Sequence, residues 1–199
     1  MIIRRWAVRL HKWIVLVVGI QIFLWIAGGL VMSAIPIEVV RSEHKVAETD
    51  AGTFAPADLV PLSAVAAAAN LPEVSSARLG ELLDQPVWWI NTRGKTHTFD
   101  AQSGERLSPI GENLARTIAE ADYSWWGTLR SIELVDDPPS EYGRPGPVWR
   151  ARFDDGDATT LYIDRDSGEV RARRSVTWRF YDFFWKLHVM DYDDGASFN

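Results

Sequence analysis

A stretch without a single charged side chain, residues 14–35, constrains this chain more than any other feature. At about 1.5 Å per residue a helix of these 22 residues spans about 33 Å, enough to cross the roughly 30 Å hydrocarbon core of a bilayer. Its one strongly polar residue is Gln21. We therefore predict an uncleaved membrane anchor over residues 14–35. A cleaved signal peptide is the alternative, but its apolar core usually has only about 7–15 residues.

The charges on the two sides of this stretch have opposite signs. Residues 1–13 hold four bases and no acid, a charge of +4, whereas the whole chain carries −6, so the part after residue 35 carries −10. The positive-inside rule then places the N-terminus in the cytoplasm and residues 38–199 outside. An acidic outer part argues against nucleic-acid binding. The absence of Cys excludes disulfides, iron–sulfur clusters and Cys nucleophiles.

Two motifs in the acidic part occur twice. The tripeptide Pro-Val-Trp at 86–88 recurs at 147–149, and Asp-Ala-Gln-Ser-Gly-Glu at 100–105 recurs as Asp-Arg-Asp-Ser-Gly-Glu at 164–169. A stretch with helical character precedes each copy, at about 57–70 and 112–123. This repetition predicts one unit, a helix followed by an antiparallel meander, used in tandem over residues 57–110 and 111–174.

The alternation of side chains predicts the strands and their faces. Strands are expected near 74–82, 87–91 and 95–99, and then near 129–135, 148–153, 159–163 and 169–172. The segment 136–146, with three Pro and two Gly, is expected to be an exposed loop. Because Trp149 alternates with Arg150, the repeat places Trp88 in the core and Trp89 on the solvent side. Trp89 is therefore a candidate partner-binding residue, unless a helix or the linker covers it.

Six aromatic residues crowd into eight positions between residues 178 and 185. As a helix, Trp178, Tyr181, Trp185 and His188 form one stripe by three- and four-residue spacing. Aromatic rings favour the membrane–water boundary, so residues 175–199 are expected to form an amphipathic membrane-interface helix followed by an acidic tail. The expected interface residues are Trp13, Trp178, Tyr181, Phe184 and Trp185.

These features together resemble a known family. The Leu-His-Lys-Trp sequence at 10–13, opening a membrane helix, is similar to that of bacterial PepSY-associated transmembrane proteins. The units closing on Asp-x-x-Ser-Gly-Glu resemble PepSY domains, and the aromatic stretch 181–193 resembles the segment that follows the ectodomain in short family members. The resemblance implies a bacterial inner-membrane protein with a periplasmic ectodomain. Such proteins usually continue into a second membrane helix, whereas this sequence ends at Asn199.

The resulting prediction is an α+β protein built from six consecutive parts. Those parts are a cytoplasmic basic end (1–13), a transmembrane helix (14–35), a linker (36–56), two tandem PepSY-like repeats (57–110 and 111–174) and the aromatic helix with its tail (175–199).

Four His residues are the candidates for ligand chemistry. His97 lies in a predicted surface strand, and His11 lies at the cytoplasmic end of the span. His44 and His188 lie beyond its other end, about 30 Å away, so His11 cannot share one haem with either of them. We expect the aromatic helix to fold back towards residues 36–46, which would place His44, His188 and Asp191 in one outer-surface ligand site. Purely structural roles for these His residues are the alternative.

The sequence contains no motif of a serine hydrolase, zinc protease or phosphate-binding loop, so no catalytic residue, metal site or cofactor is predicted. The leading hypothesis is a non-enzymatic module, anchored in the lipid bilayer, that positions or modulates a membrane or periplasmic protein. The resemblance suggests a peptidase or an uptake component as that partner. The alternative is a redox accessory subunit that carries haem b or a metal and is associated with iron uptake.

The charge asymmetry makes the orientation testable. We expect alkaline phosphatase fused after residue 60 to be active in a bacterial host, because the enzyme folds only outside the cytoplasm. A cytoplasmic reporter fused at the same position should be inactive. The reverse pattern of activities would overturn the predicted orientation.

Overall fold

A long apolar helix opens the chain in the computed structural model, which describes residues 2–48, 52–71 and 73–190. Helix α1 runs from Ile2 to Ala34, so the basic segment and the uncharged stretch form one continuous helix. Within the described residues, Arg4–Ala34 is the one helix long and apolar enough to cross a membrane. One turn of helix, α2 (Ile37–Val40), follows directly after Pro36.

The rest of the chain is α+β, with two antiparallel sheets that each follow a helix. Helix α3 (Leu62–Ala68) precedes a sheet of β1 (Ser76–Leu82), β2 (Gln85–Thr92) and β3 (Lys95–Asp100), in that order. Helix α4 (Glu112–Asp122) precedes a sheet of β4 (Leu129–Val135), β5 (Val148–Phe153), β6 (Thr160–Asp164) and β7 (Val170–Arg174). Helix α5 (Val176–Val189) ends the described chain. The predicted strands are therefore confirmed to within about two residues at each end.

The two sheets share their register where the sequence motifs recur. Val87 pairs with Asp100 in the first sheet, and Val148 pairs with Asp164 in the second. Each Asp carboxylate then accepts hydrogen bonds from the backbone N–H groups two and three residues later, and each turn closes through a Gly with φ of +75°. Only a residue free to adopt positive φ fits there without strain, which explains why Gly occupies both positions.

Each sheet packs its helix-facing side through a Trp. The Trp149 indole N–H donates to the carbonyl of Ile110, just before α4, and the Trp88 indole N–H donates to the carbonyl of Val60, just before α3. Trp149 is buried as predicted, whereas Trp88 is only half-buried. The helix packed on the Trp88 side, α3, has 7 residues, whereas α4, packed on the Trp149 side, has 11.

The face of the second sheet that points away from α4 is also covered. In the second sheet, Tyr162 and Val148 pack against Tyr142, which lies in the segment 136–146. The Glu141 carboxylate accepts hydrogen bonds from the Tyr162 hydroxyl (2.6 Å) and the Arg179 guanidinium (2.8 Å). Burial alone would raise the pKa of Glu141, but the bonds from Arg179 and Tyr162 hold it below its usual value. The segment is a mostly exposed loop, as predicted, but Tyr142 is buried and, together with Glu141, holds the segment against the sheet.

Helix α5 packs antiparallel against the C-terminal half of α1. Near its start, Trp178 and Tyr181 are buried against Val40, Met32 and neighbouring apolar residues. Near its end, the His188 side chain lies against α1 at Gly28, where a Cβ atom would be 3.0 Å from that of His188. The glycine therefore permits the close approach of the two helices.

A buried ammonium group connects the segment that follows α1 and α2 with the second sheet and α5. Lys45 is 3% exposed, and its Nζ donates to the Asp155 and Asp157 carboxylates at 2.9 and 2.8 Å. Asp157 also accepts from the backbone N–H of Thr177 in the first turn of α5. Burial alone would raise the pKa of both carboxylates. Hydrogen bonds from Thr159 and Lys45 keep the pKa of Asp155 below its ordinary value of 3.8. Hydrogen bonds from Lys45 and Thr177 do the same for the pKa of Asp157. Folding therefore favours the two ionised carboxylates.

This cluster predicts a pH-dependent loss of stability. A carboxylate with a depressed pKa stabilises the fold above its ordinary pKa of 3.8, and that stabilisation disappears as the pH falls through the lower folded value. We expect Lys45→Met to cost about 3–5 kcal/mol at pH 7, because it removes the cation from the buried Asp155 carboxylate and from the partly exposed Asp157 carboxylate. The cost should shrink at pH 3, where protonation removes their charge. Urea unfolding of the full chain in mild detergent, followed by Trp fluorescence, measures both values.

Arg116→Met provides the control for that experiment. Arg116 pairs with Glu112 on an exposed helix face at 3.4 Å, so its loss should cost less than about 0.5 kcal/mol at either pH. An equal cost for Lys45→Met at pH 7 and pH 3 would contradict the assigned electrostatic role.

Candidate functional site

A cleft of about 830 Å³ lies between the two sheet units. One wall is formed by β1, with Arg78, Gly80 and Glu81, and the opposite wall by the end of α4 and the start of β7. Trp89 forms part of the lining. Strand β1 is an edge strand of its sheet, so one side of its backbone has no neighbouring strand, and several of its residues line this cleft.

Trp89 is held in the cleft by three kinds of contact. Its indole N–H donates to the Ser167 carbonyl at 2.8 Å, and the Arg78 guanidinium lies 4.1 Å from the ring centroid. A Cβ atom at Gly80 would overlap the indole ring, so glycine is what lets Trp89 lie over β1. The geometry thus fixes the ring through a hydrogen bond, a cation–π contact and close backbone packing.

The prediction that Trp89 lies on the solvent side was wrong, because it is 4% exposed. The assigned face of the strand is correct, since Trp89 points away from α3. That face is covered by the second unit's 164–169 turn, whose Asp166 carbonyl also accepts a hydrogen bond from the Thr98 hydroxyl at 2.7 Å. The alternation of side chains reveals which face a residue lies on, but not which distant segment covers that face.

Acidic groups dominate the charge of the cleft. The lining contains Arg78 and Arg173, and five acids: Glu48, Glu81, Asp84, Asp122 and Glu169. Arg78 pairs with Glu169 at 2.6 Å, and Arg173 pairs with Asp122. Both arginines are thus engaged, while Glu48, Glu81 and Asp84 have no ion pair with any described residue. The cleft therefore combines an apolar aromatic surface with a net negative charge, which suits a cationic extended segment.

The candidate His ligands lie apart. The His44 ring contacts Trp125 edge-on at 5.2 Å between centroids, whereas the His188 ring stacks on Trp25 at 4.9 Å. Lys45, adjacent to His44, and Thr177 both bind Asp157, so His44 lies beside the start of α5. His188 is eleven residues further along that helix, about 16 Å away.

The predicted shared site of His44 and His188 is therefore not formed. Asp191, its third expected ligand, lies outside the described residues, and His11 lies on the distant N-terminal part of α1. Across residues 2–48, 52–71 and 73–190, no group of three His, Cys, Asp or Glu residues could hold a metal ion. The positions of these His residues give no support to the haem- or metal-linked alternative.

Two of the four His residues, His188 and His97, have identifiable structural roles. His188 Nδ1 donates to the Trp25 carbonyl at 2.8 Å, which anchors the end of α5 to α1. His97 is buried rather than exposed as predicted, and it lies between Thr92 and Arg106. Its pKa is lowered by burial first, and then by the charges of Arg106 and Lys95.

The expected membrane-interface residues divide into two groups. Trp13 is exposed on α1, but Trp178 and Tyr181 are buried, because their stripe faces α1 instead of lipid. Phe184 and Trp185 are half-buried, and the aromatic residues that α5 exposes are Phe180 and Phe183. The predicted stripe and its folding back towards residues 36–46 are confirmed, since Trp178 and Tyr181 pack against Ile37 and Val40. The packing of the stripe along α1 was not predicted.

Sequence reasoning also missed an exposed pair, Trp125 and Trp126, which are 45% and 77% exposed. The backbone N–H of the preceding residue, Ser124, donates to the Lys45 carbonyl at 2.8 Å. This bond holds the pair close to the point where the chain leaves α1. Two consecutive Trp residues just beyond an amphipathic helix were the available signal.

No protein-family model, curated protein or solved structure matches the chain. The resemblance to PepSY-associated proteins therefore rests on the sequence motifs alone.

The position of Trp89 against Gly80 predicts the effect of a single methyl group. Gly80→Ala should displace the indole, break its hydrogen bond to Ser167 and cost about 1–3 kcal/mol, as overpacking does elsewhere. Loss of the shifted Trp89 indole N–H signal by NMR would report the displacement. Gly156→Ala is the matched control, since a Cβ there meets no atom within 4 Å. An unchanged Trp89 signal in Gly80→Ala would contradict this packing.

Proposed function

We propose that this protein is a membrane-anchored binding module without catalytic activity of its own. Its inter-unit cleft receives an extended cationic segment of a membrane or periplasmic protein, which it positions or modulates. The main support for this proposal is that one cleft combines the edge strand β1, the aromatic surface of Trp89 and an excess of acidic side chains. An edge strand offers main-chain hydrogen bonds to an added strand, and the acids favour a basic one.

The proposed module is a tandem duplication of a PepSY-like unit. Its support is the matching network in the two units: equivalent Asp-centred turns, equivalent Val–Asp strand pairs and equivalent Trp-to-carbonyl bonds. The backbone N–H groups of Val60 and Ile110 also bond to equivalent carbonyls, those of Ala101 and Arg165, at 2.7 Å each. Divergence after duplication explains why the second unit has a fourth strand and a longer insert.

We place the module at a bacterial inner membrane, with the N-terminus in the cytoplasm and the cleft in the periplasm. The charge asymmetry around α1 supports this orientation. Trp125 and Trp126 would then reach the lipid headgroups beside the anchor, where Trp is favoured. A peptidase or an uptake component remains the proposed partner, on the family resemblance.

Site-specific photocrosslinking in native membranes tests the proposal. A photoreactive side chain replacing Ala121, which is exposed and lines the cleft, should form an adduct with one defined protein. The same side chain at Asn113, exposed near the start of the same helix, is the control and should give no such adduct. An excess of a synthetic basic peptide should suppress the Ala121 adduct, while an acidic peptide should not.

Two outcomes would contradict the proposal. One is the absence of any adduct from position 121 in membranes of the native host. The other is the same set of adducts from both positions, which would mean random collision and not docking in the cleft.

A further inference from the structure

A second, smaller pocket lies on another part of the joint between the two units. It has a volume of about 230 Å³, and its lining includes Lys95, Arg106 and Ser108 from the first unit and Arg165 and Asp166 from the second. This is below the roughly 300–1,000 Å³ of pockets for drug-sized ligands. The pocket therefore has room for a small group only.

The basic residues of this pocket differ from most others in the outer part of the chain. Nine arginines there have a carboxylate within ion-pair distance: Arg41, Arg78, Arg93, Arg116, Arg150, Arg152, Arg171, Arg173 and Arg179. Lys95, Arg106 and Arg165 have none among the described residues, although acids outnumber bases after residue 35. Three uncompensated cations in one pocket, against the single acid Asp166, leave a local charge of +2.

Buried polar groups position this cationic surface. Arg106 Nη2 lies 2.5 Å from His97 Nδ1, and since a guanidinium only donates, Nδ1 accepts. His97 is then neutral, with its proton on Nε2, 3.0 Å from the Thr92 hydroxyl. Its lowered pKa agrees with that state. His97, which is buried, thus holds one donor group of Arg106 and leaves the rest of the guanidinium free to donate.

A buried hydroxyl adds a neutral donor. Ser108 is 5% exposed, and its Oγ accepts a hydrogen bond from the backbone N–H of Thr98 at 3.0 Å. A hydroxyl that accepts a hydrogen bond can still donate its own proton. No described residue accepts a hydrogen bond from the Ser108 hydroxyl.

The pocket also lies far from the anchor. Strand β6 begins beside Thr159, which binds Lys45 near the exit of α1, and it ends at Asp164, just before Arg165. Five residues of strand extend about 16 Å, so the pocket is on the opposite end of the sheet from α1. Lipid headgroups of the membrane that holds α1 are therefore not its ligands.

We propose that this pocket binds a small oxyanion, a phosphate or carboxylate group, on the guanidinium groups of Arg106 and Arg165, the ammonium of Lys95 and the hydroxyl of Ser108. Guanidinium groups match the geometry of both anions with paired donors. Because the two units contribute one arginine each, the bound anion also bridges the joint between them. The proposal is independent of the partner assigned to the larger cleft.

The experiment uses the full chain in detergent micelles with ¹³C-labelled His. Inorganic phosphate is titrated at constant ionic strength, with chloride as the balancing anion, and acetate is titrated separately. We expect a saturable shift of the His97 ring signal and a rise in the His97 pKa, because a bound anion offsets the charges of Arg106 and Lys95. Saturation by phosphate alone assigns a phosphate-bearing ligand, and saturation by acetate assigns a carboxylate.

Matched variants distinguish a specific anion site from the non-specific electrostatic attraction of anions to the protein. Arg165→Gln should weaken binding about tenfold, as expected for the loss of a charge-assisted hydrogen bond. Arg144→Gln, which removes an arginine outside the pocket, should leave binding unchanged. Lys95→Gln, a change at an exposed strand end, provides a second test if Arg165→Gln alters the melting temperature. A linear, non-saturating response to both anions, or equal binding by all the variants, would overturn the proposal.

Discussion

The ammonium of Lys45 is a charge that the protein buries and must therefore neutralise. Asp155 and Asp157 do so, and each carboxylate also fixes a further element: Asp155 bonds Thr159 at the start of β6, and Asp157 bonds the first turn of α5. The segment leaving α1, the second sheet and the returning helix thus meet at one cluster. Removing one partner while the others stay buried would leave an unpaired charge, at a cost of several kcal/mol.

The fold shows how far local patterns determine the structure of this chain. The uncharged stretch predicted α1, and the recurring Pro-Val-Trp and Asp-x-x-Ser-Gly-Glu motifs predicted strands and turns that the structure contains. These features were predictable because they depend on neighbours in sequence, such as a carboxylate accepting from the next turn residues. Strand alternation likewise assigned Trp149 to the core.

The sequence did not predict which distant segments of the chain bury a given side chain. Trp89 was placed on the correct face, but the turn that buries it begins more than seventy residues later in the sequence. His188 and the 136–146 segment show the same limit: their partners, Trp25 and Tyr162, belong to elements that local periodicity does not connect with them. The cleft and the cationic pocket both lie at the joint of the two units, which is why neither could be located from the sequence.

The clamp between α5 and α1 has a mechanical consequence for encounters with other molecules. A domain on a flexible tether would take up many orientations relative to α1. Here the His188 side chain bonds the Trp25 carbonyl of α1, and the Asp157 carboxylate accepts a hydrogen bond from the first turn of α5. In the proposed membrane arrangement, the packed pair of α1 and α5 would limit how far the domain can tilt relative to the bilayer. For the proposed partner in the same bilayer, this restriction would raise the effective concentration of correctly oriented encounters without any added contact.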